Sequence, residues 1–113
     1  MIDLTAFRDD IGRSDRICVR GGGTRWGVGG DDAGVRSVSA PVGIEAFEPA
    51  EMTVTVGAGT TMAALSAVLA EHGQEVAIDG PADSTVGGAL MVGRNPLRRG
   101  RLGEVADVLL QAD

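Results

Sequence analysis

Three glycines followed by a hydroxyl and a cation, Gly21-Gly22-Gly23-Thr24-Arg25, come directly after the β-branched and apolar run Ile17-Cys18-Val19. Glycine takes positive φ without steric cost, so such a loop can turn successive N–H groups toward one point and form a nest for an anion. The Thr24 hydroxyl adds a donor and Arg25 adds charge, a set that suits a pyrophosphate. A tight surface turn accounts for the same residues equally well. Trp26 either stacks on a bound ring or covers the loop, and packing is the simpler role.

The spacing separates this loop from other nucleotide binders. A dinucleotide fingerprint requires G-x-G-x-x-G, but counting from Gly21 the sixth position is Trp26, and from Gly27 it is Asp32. The NTPase phosphate loop requires a lysine, yet all 10 basic residues are arginine. The same absence removes Schiff-base catalysis.

A second anion-friendly tract, Thr85-Val86-Gly87-Gly88, has Ser84 and Thr85 as donors and paired glycines that permit close backbone approach. Read alone, it is also a glycine-permitted helix start packed on a neighbouring strand. Arg94, Arg98, Arg99 and Arg101 form a cluster without an acidic residue between them, which is a solvated face or a local positive field. Cys18 reads as an inert core thiol, and His72 as a stabiliser of a helix C-terminus.

The elements that must position these residues follow from length and pattern. At 113 residues the chain holds one core. Its net charge of −6 argues against a nucleic-acid face, so any anion must be held by local donors. One cysteine and one histidine supply neither a disulfide nor a zinc site of the usual kind, and a reducing cytoplasm is the expected compartment. No signal peptide or membrane span is evident.

Leu4, Phe7 and Ile11 predict a helix over residues 3 to 11. Ile17-Cys18-Val19 predicts a short buried strand, and Val35 to Ser39 and Ile44 to Phe47 predict two weaker ones. Met52 to Val56 alternates as a half-buried strand does and stops at Gly57-Ala58-Gly59. Met62, Leu65, Leu69 and His72 define a helix over 61 to 72, with Thr60 or Thr61 as N-cap and Gly73 closing it. Val76-Ala77-Ile78 predicts a strand entering the Asp79-Gly80-Pro81 turn, and Val105 to Gln111 predicts another at the end of the chain.

Taken in order, Arg20-Gly21-Gly22-Gly23-Thr24-Arg25-Trp26-Gly27, Glu48-Pro49 through Gly57-Ala58-Gly59, and Thr85-Val86-Gly87-Gly88-Ala89-Leu90 make nearly the whole chain resemble the front part of an FAD-binding domain. The domain is of the vanillyl-alcohol oxidase and p-cresol methylhydroxylase type, and the nearest likeness is to the FAD-binding subunit of glycolate oxidase. The resemblance implies an α+β fold of two small sheets with flanking helices around an extended FAD. It implies that Gly21, Gly22, Gly23 and Thr24, with Arg25 and Trp26, cradle the pyrophosphate. Thr85, Gly87 and Gly88 would line the same cofactor, and Pro81 and Ser84 would border the flavin side. Amide hydrogens from both glycine tracts are then expected on one diphosphate.

The resemblance further implies a role in oxidising a small 2-hydroxy acid such as glycolate or lactate, alongside possible partner oxidoreductase subunits. Some members attach FAD through a histidine in or beside the first loop. Here the only histidine is His72, so noncovalent FAD is expected. Asn95-Pro96 departs from the usual glycine pattern, and proline removes an N–H there. Members of the family continue past the strand expected at Asp107-Val108-Leu109-Leu110 into the rest of the cofactor domain and a substrate cap. Residues 1–113 are accordingly read as a partial domain to which no catalytic residue carries over. A non-catalytic FAD-binding fragment or interaction module, and a flavin reductase like that of enolpyruvyl sugars, are the alternatives; the latter fits the Gly23-Thr24-Arg25-Trp26 loop less well.

Overall fold

The computed structural model describes residues 2–24, 27, 30–93 and 99–113, with only the backbone of Arg99. Two two-stranded sheets and short helices make an α+β arrangement. Helix α1, Leu4–Ile11, starts at Asp3, whose carboxylate accepts from the Thr5 amide at 2.8 Å. Strand β1, Ile17–Val19, pairs in parallel with β2, Arg36–Val38. The Arg36 guanidinium reaches back to Asp10 at 3.0 Å and to the Ile11 carbonyl at 3.3 Å, fastening the end of α1 to β2.

Strand β3, Ile44–Glu48, pairs antiparallel with β4, Thr53–Val56. The ladder is irregular between Glu45 and Glu48, where Ala46 takes φ +42°. A 3-10 turn over Pro49–Glu51 joins the strands, and left-handed Met52 ends it. Helix α2, Met62–Ala70, is capped by Thr61, whose hydroxyl accepts from Ala64 N–H. Helix α3, Val86–Val92, is capped by Thr85, and the short α4, Arg99–Leu102, and α5, Val105–Val108, follow.

The core is the apolar face of α2 closed by α3 and the chain between them: Met62, Leu65, Leu69, Ile78, Val86 and Ala89 are buried together. Partly buried Ile44, Phe47, Val54 and Val56 carry that packing onto the β3–β4 sheet. No helix among the described residues is long and apolar enough to cross a membrane.

Several expectations are corrected. Residues 76–78 form no strand; they pair with neither described sheet, and Ile78 is instead buried in the core with Met62, Leu65 and Leu69 of α2. The C-terminal segment is helical at Val105–Val108 rather than extended. Asp107 accepts from the Glu104 amide at 2.9 Å, one arm of a capping box that outweighs the β-branched composition. β1 exists but is not buried: Val19 is 55% exposed, and Cys18 is half-buried rather than a core thiol. Helix α2 stops at Ala70, and His72 sits in the turn beyond it with its ring edge-on to Phe47 at 5.2 Å.

Candidate cofactor site

The first glycine loop leaves β1 with the Arg20 amide donating to the Val38 carbonyl at 2.8 Å, so the sheet aims the loop. Its glycines are then fixed by close approach to the segment before α3. A Cβ on Gly21 would lie 2.5 Å from the Thr85 hydroxyl oxygen, and one on Gly22 would overlap the Asp83 carbonyl. Gly23 turns the chain at φ +73°, with the Arg20 guanidinium beside it. The two glycine tracts, 64 residues apart between Gly21 and Thr85, therefore meet in space at Asp83, Ser84 and Thr85.

Which N–H groups remain for a ligand follows from the hydrogen bonds. The amides of Gly21, Gly22, Gly23 and Thr24 have no acceptor among the described residues, and Gly21, Gly22 and Thr24 are exposed. In the second tract every amide at the helix start is occupied. Val86 N–H donates to the Thr60 carbonyl at 2.8 Å, Gly87 N–H to the Ala58 carbonyl at 2.8 Å, Gly88 N–H to the Thr85 hydroxyl at 3.1 Å, and Ala89 N–H to the Thr85 carbonyl at 2.9 Å. The Gly87 and Gly88 amides are thus held by acceptors of the protein itself. The physical reason is that α3 begins here and its first N–H groups take internal partners.

Helix α2 is closed in the same way. Met62 N–H donates to the Ser84 carbonyl at 2.8 Å and Ala63 N–H to the Ala82 carbonyl at 3.0 Å, so the first turn of α2 holds the platform. Ser84 is buried, its hydroxyl donating to the Pro81 carbonyl at 2.6 Å, which shapes the turn. Gly87 has no room for a side chain, since a Cβ would fall 2.9 Å from that of Ala58, whereas Gly88 is exposed and meets only the Thr85 hydroxyl.

Of the residues singled out in the sequence, Gly21, Gly22, Gly23, Thr24, Ser84, Thr85, Gly87 and Gly88 lie in this assembly, with Pro81 at its exposed edge. Arg25 and Trp26, and the arginines at 94 and 98, lie outside the described residues. Sequence reasoning gave Ala58 and Thr60 no part in the site and held Asp83 only as part of the Pro81 to Ser84 turn; their backbones form the platform. The one available signal was the G-x-G-T run after β4, which marks close backbone approach as much as the end of a strand.

The donor set fits a dianionic phosphate linkage: four successive amides without acceptors and a threonine hydroxyl, on a backbone too close to its support for any side chain at Gly22. Comparison with curated proteins and with solved structures finds no match. A family model described as an FAD binding domain matches residues 12–113. The span takes in the glycine loop, its platform and both sheets, and this chain belongs to the FAD binding domain family of vanillyl-alcohol oxidase and p-cresol methylhydroxylase type.

Proposed function

We propose that the chain grips FAD chiefly by its pyrophosphate, through the amides of Gly21 to Thr24 and the Thr24 hydroxyl, with Arg25 adding charge. The carrying observation is that these four amides have no acceptor among the described residues while the loop is seated against Asp83, Ser84 and Thr85. In this reading the second tract contributes shape. Gly88 lets the cofactor come close to the start of α3, Thr85 supports Gly21, and Pro81 with the Ser84 backbone borders the flavin side.

FAD is held noncovalently, since the single histidine packs against Phe47 at the far end of α2 from the Thr61 cap. Bound FAD supplies a two-electron acceptor for hydride leaving a substrate carbon. On the resemblance to the glycolate oxidase FAD subunit, the substrate class is a small 2-hydroxy acid, with partner oxidoreductase subunits. Residues 1–113 bring cofactor binding to that reaction.

Titration of the full chain with FAD, followed by flavin fluorescence, tests the grip. Thr24→Ala removes an exposed hydroxyl and is expected to weaken binding by about 1 kcal/mol, the worth of one hydrogen bond, with the fold intact. Unchanged affinity would take Thr24 out of the site, and no binding by the parent chain would end the reading. Turnover of glycolate or lactate with an artificial acceptor tests the substrate class separately.

A further inference from the structure

Thr60 is 3% exposed, and its hydroxyl is used in both directions. It accepts from Gly43 N–H at 3.0 Å and donates to the Gly43 carbonyl at 3.1 Å. Its backbone does as much: Thr60 N–H donates to the Gly57 carbonyl at 2.9 Å, and its carbonyl accepts from Val86 N–H at 2.8 Å. Thr60 therefore touches the chain leading from β2 into β3 with its side chain and the first amide of α3 with its backbone.

Each contact leads to one half of the proposed grip. From Gly43 the connection runs back through Pro41, whose carbonyl accepts from Gly59 N–H at 2.8 Å, to Val38, whose carbonyl accepts from the Arg20 amide at the root of the first glycine loop. From Val86 it runs to Thr85, the support under Gly21, and Thr61 bridges Thr85 directly. The Gly43 carbonyl also accepts from Gly57 N–H at 2.8 Å, so a shift of this buried hydroxyl leaves the hydroxyl itself and the Gly43 N–H as the unpaired groups, and that cost fixes the geometry.

We infer that Thr60 is a positioning residue for the cofactor: by clamping Gly43 while its carbonyl holds Val86, it sets the spacing between the Gly21–Thr24 loop and its Asp83–Thr85 platform without touching FAD. This rests on the proposed pyrophosphate grip. Valine has nearly the shape of threonine but can neither donate nor accept, so Thr60→Val breaks the clamp with little change in volume. Serine keeps both hydrogen bonds.

The test measures FAD affinity of the full chain and, without FAD, hydrogen exchange of the Gly43 and Val86 amides. Thr60→Val is expected to weaken FAD binding roughly tenfold and to speed both exchanges, whereas Thr60→Ser stays within about twofold of the parent. Thr60→Ala is measured in parallel, so that a folding failure of the valine variant leaves a second hydroxyl-free chain to read. A hydroxyl-free variant that folds and binds FAD as tightly as the parent overturns the inference and leaves the grip standing. A parent chain that binds no FAD overturns the grip, and the inference with it. Equal loss in the serine and valine variants also overturns it, because shape and not the hydroxyl would then be responsible.

Discussion

Glycines that look alike in the sequence do different work in this loop. Gly22 is required by contact, since any Cβ would overlap the Asp83 carbonyl. Gly22→Ala should therefore cost about 2 kcal/mol of stability as well as FAD binding, read by urea denaturation without cofactor. Gly23 is required by backbone angle, with φ +73°. Gly23→Ala should cost about 1 kcal/mol, the usual penalty of an L-residue in that region. If both alanine variants unfold at the parental urea midpoint, the loop is not seated as described. Gly88 differs from both, because it is exposed and a Cβ there meets only the Thr85 hydroxyl oxygen that caps α3, at 3.1 Å. Retained stability with weakened FAD binding in Gly88→Ala would mark it as a residue of cofactor approach. Loss of FAD on replacing Gly22 would carry less information, because the support is lost along with the ligand.

At the level of elements, what was legible was what local chemistry decides. The stripe Leu4, Phe7, Ile11 and the stripe Met62, Leu65, Leu69 each gave a helix within two residues of its ends, and Asp3 and Thr61 cap them. The alternation through Val54 and Val56 gave β4. Residues 76–78 and 105–111 misled because an apolar β-branched run becomes a strand only when it pairs with another, and pairing is not written locally. For the second run the Glu104-Asp107 spacing was the overlooked helix signal. For the candidate site the meeting of the two glycine tracts was legible, but not their division of labour: whether the Gly87 amide faces a ligand or the Ala58 carbonyl depends on a tertiary contact 29 residues away. Capping also gives a pH dependence. Hydrogen bonding to the Thr5 amide holds the Asp3 carboxyl below its usual 3.8. A depressed folded-state value means the cap contributes above the unfolded value and is lost as pH falls through the folded one. Protection of the α1 amides should fade below about pH 3.8 in the parent, and Asp3→Asn, which caps without ionising, should lack that transition. An identical acid profile in both chains would remove Asp3 as its source.

For the whole molecule, surface and core are out of proportion in a way that bears on how FAD is held. A compact chain of 11.5 kDa exposes about 5,800 Å² by the usual scaling, whereas this one exposes 7872 Å². Among the described residues the buried apolar cluster consists of six side chains around α2 and α3. The β1–β2 sheet that aims the glycine loop stands apart from that cluster, with Val38 buried and Val19 exposed. So little burial leaves the loop and its sheet near the low end of local stability, where a ligand bridging loop and platform has most effect. A ligand that binds only the folded chain stabilises it by about 2.7 kcal/mol at a concentration near 100 times its Kd. For a chain of this length that is a rise in melting temperature on the order of 10 °C. The rise should grow with the logarithm of FAD concentration above Kd. Free pyrophosphate, offering the same anion to the same amides, should give a smaller shift of the same sign, which Thr24→Ala should reduce. An FAD-dependent shift with none from pyrophosphate would move the main contact from the glycine loop to the ring systems of the cofactor. A midpoint indifferent to both would mean that folding and binding are uncoupled, contrary to a loop whose four donor amides have no acceptor among the described residues.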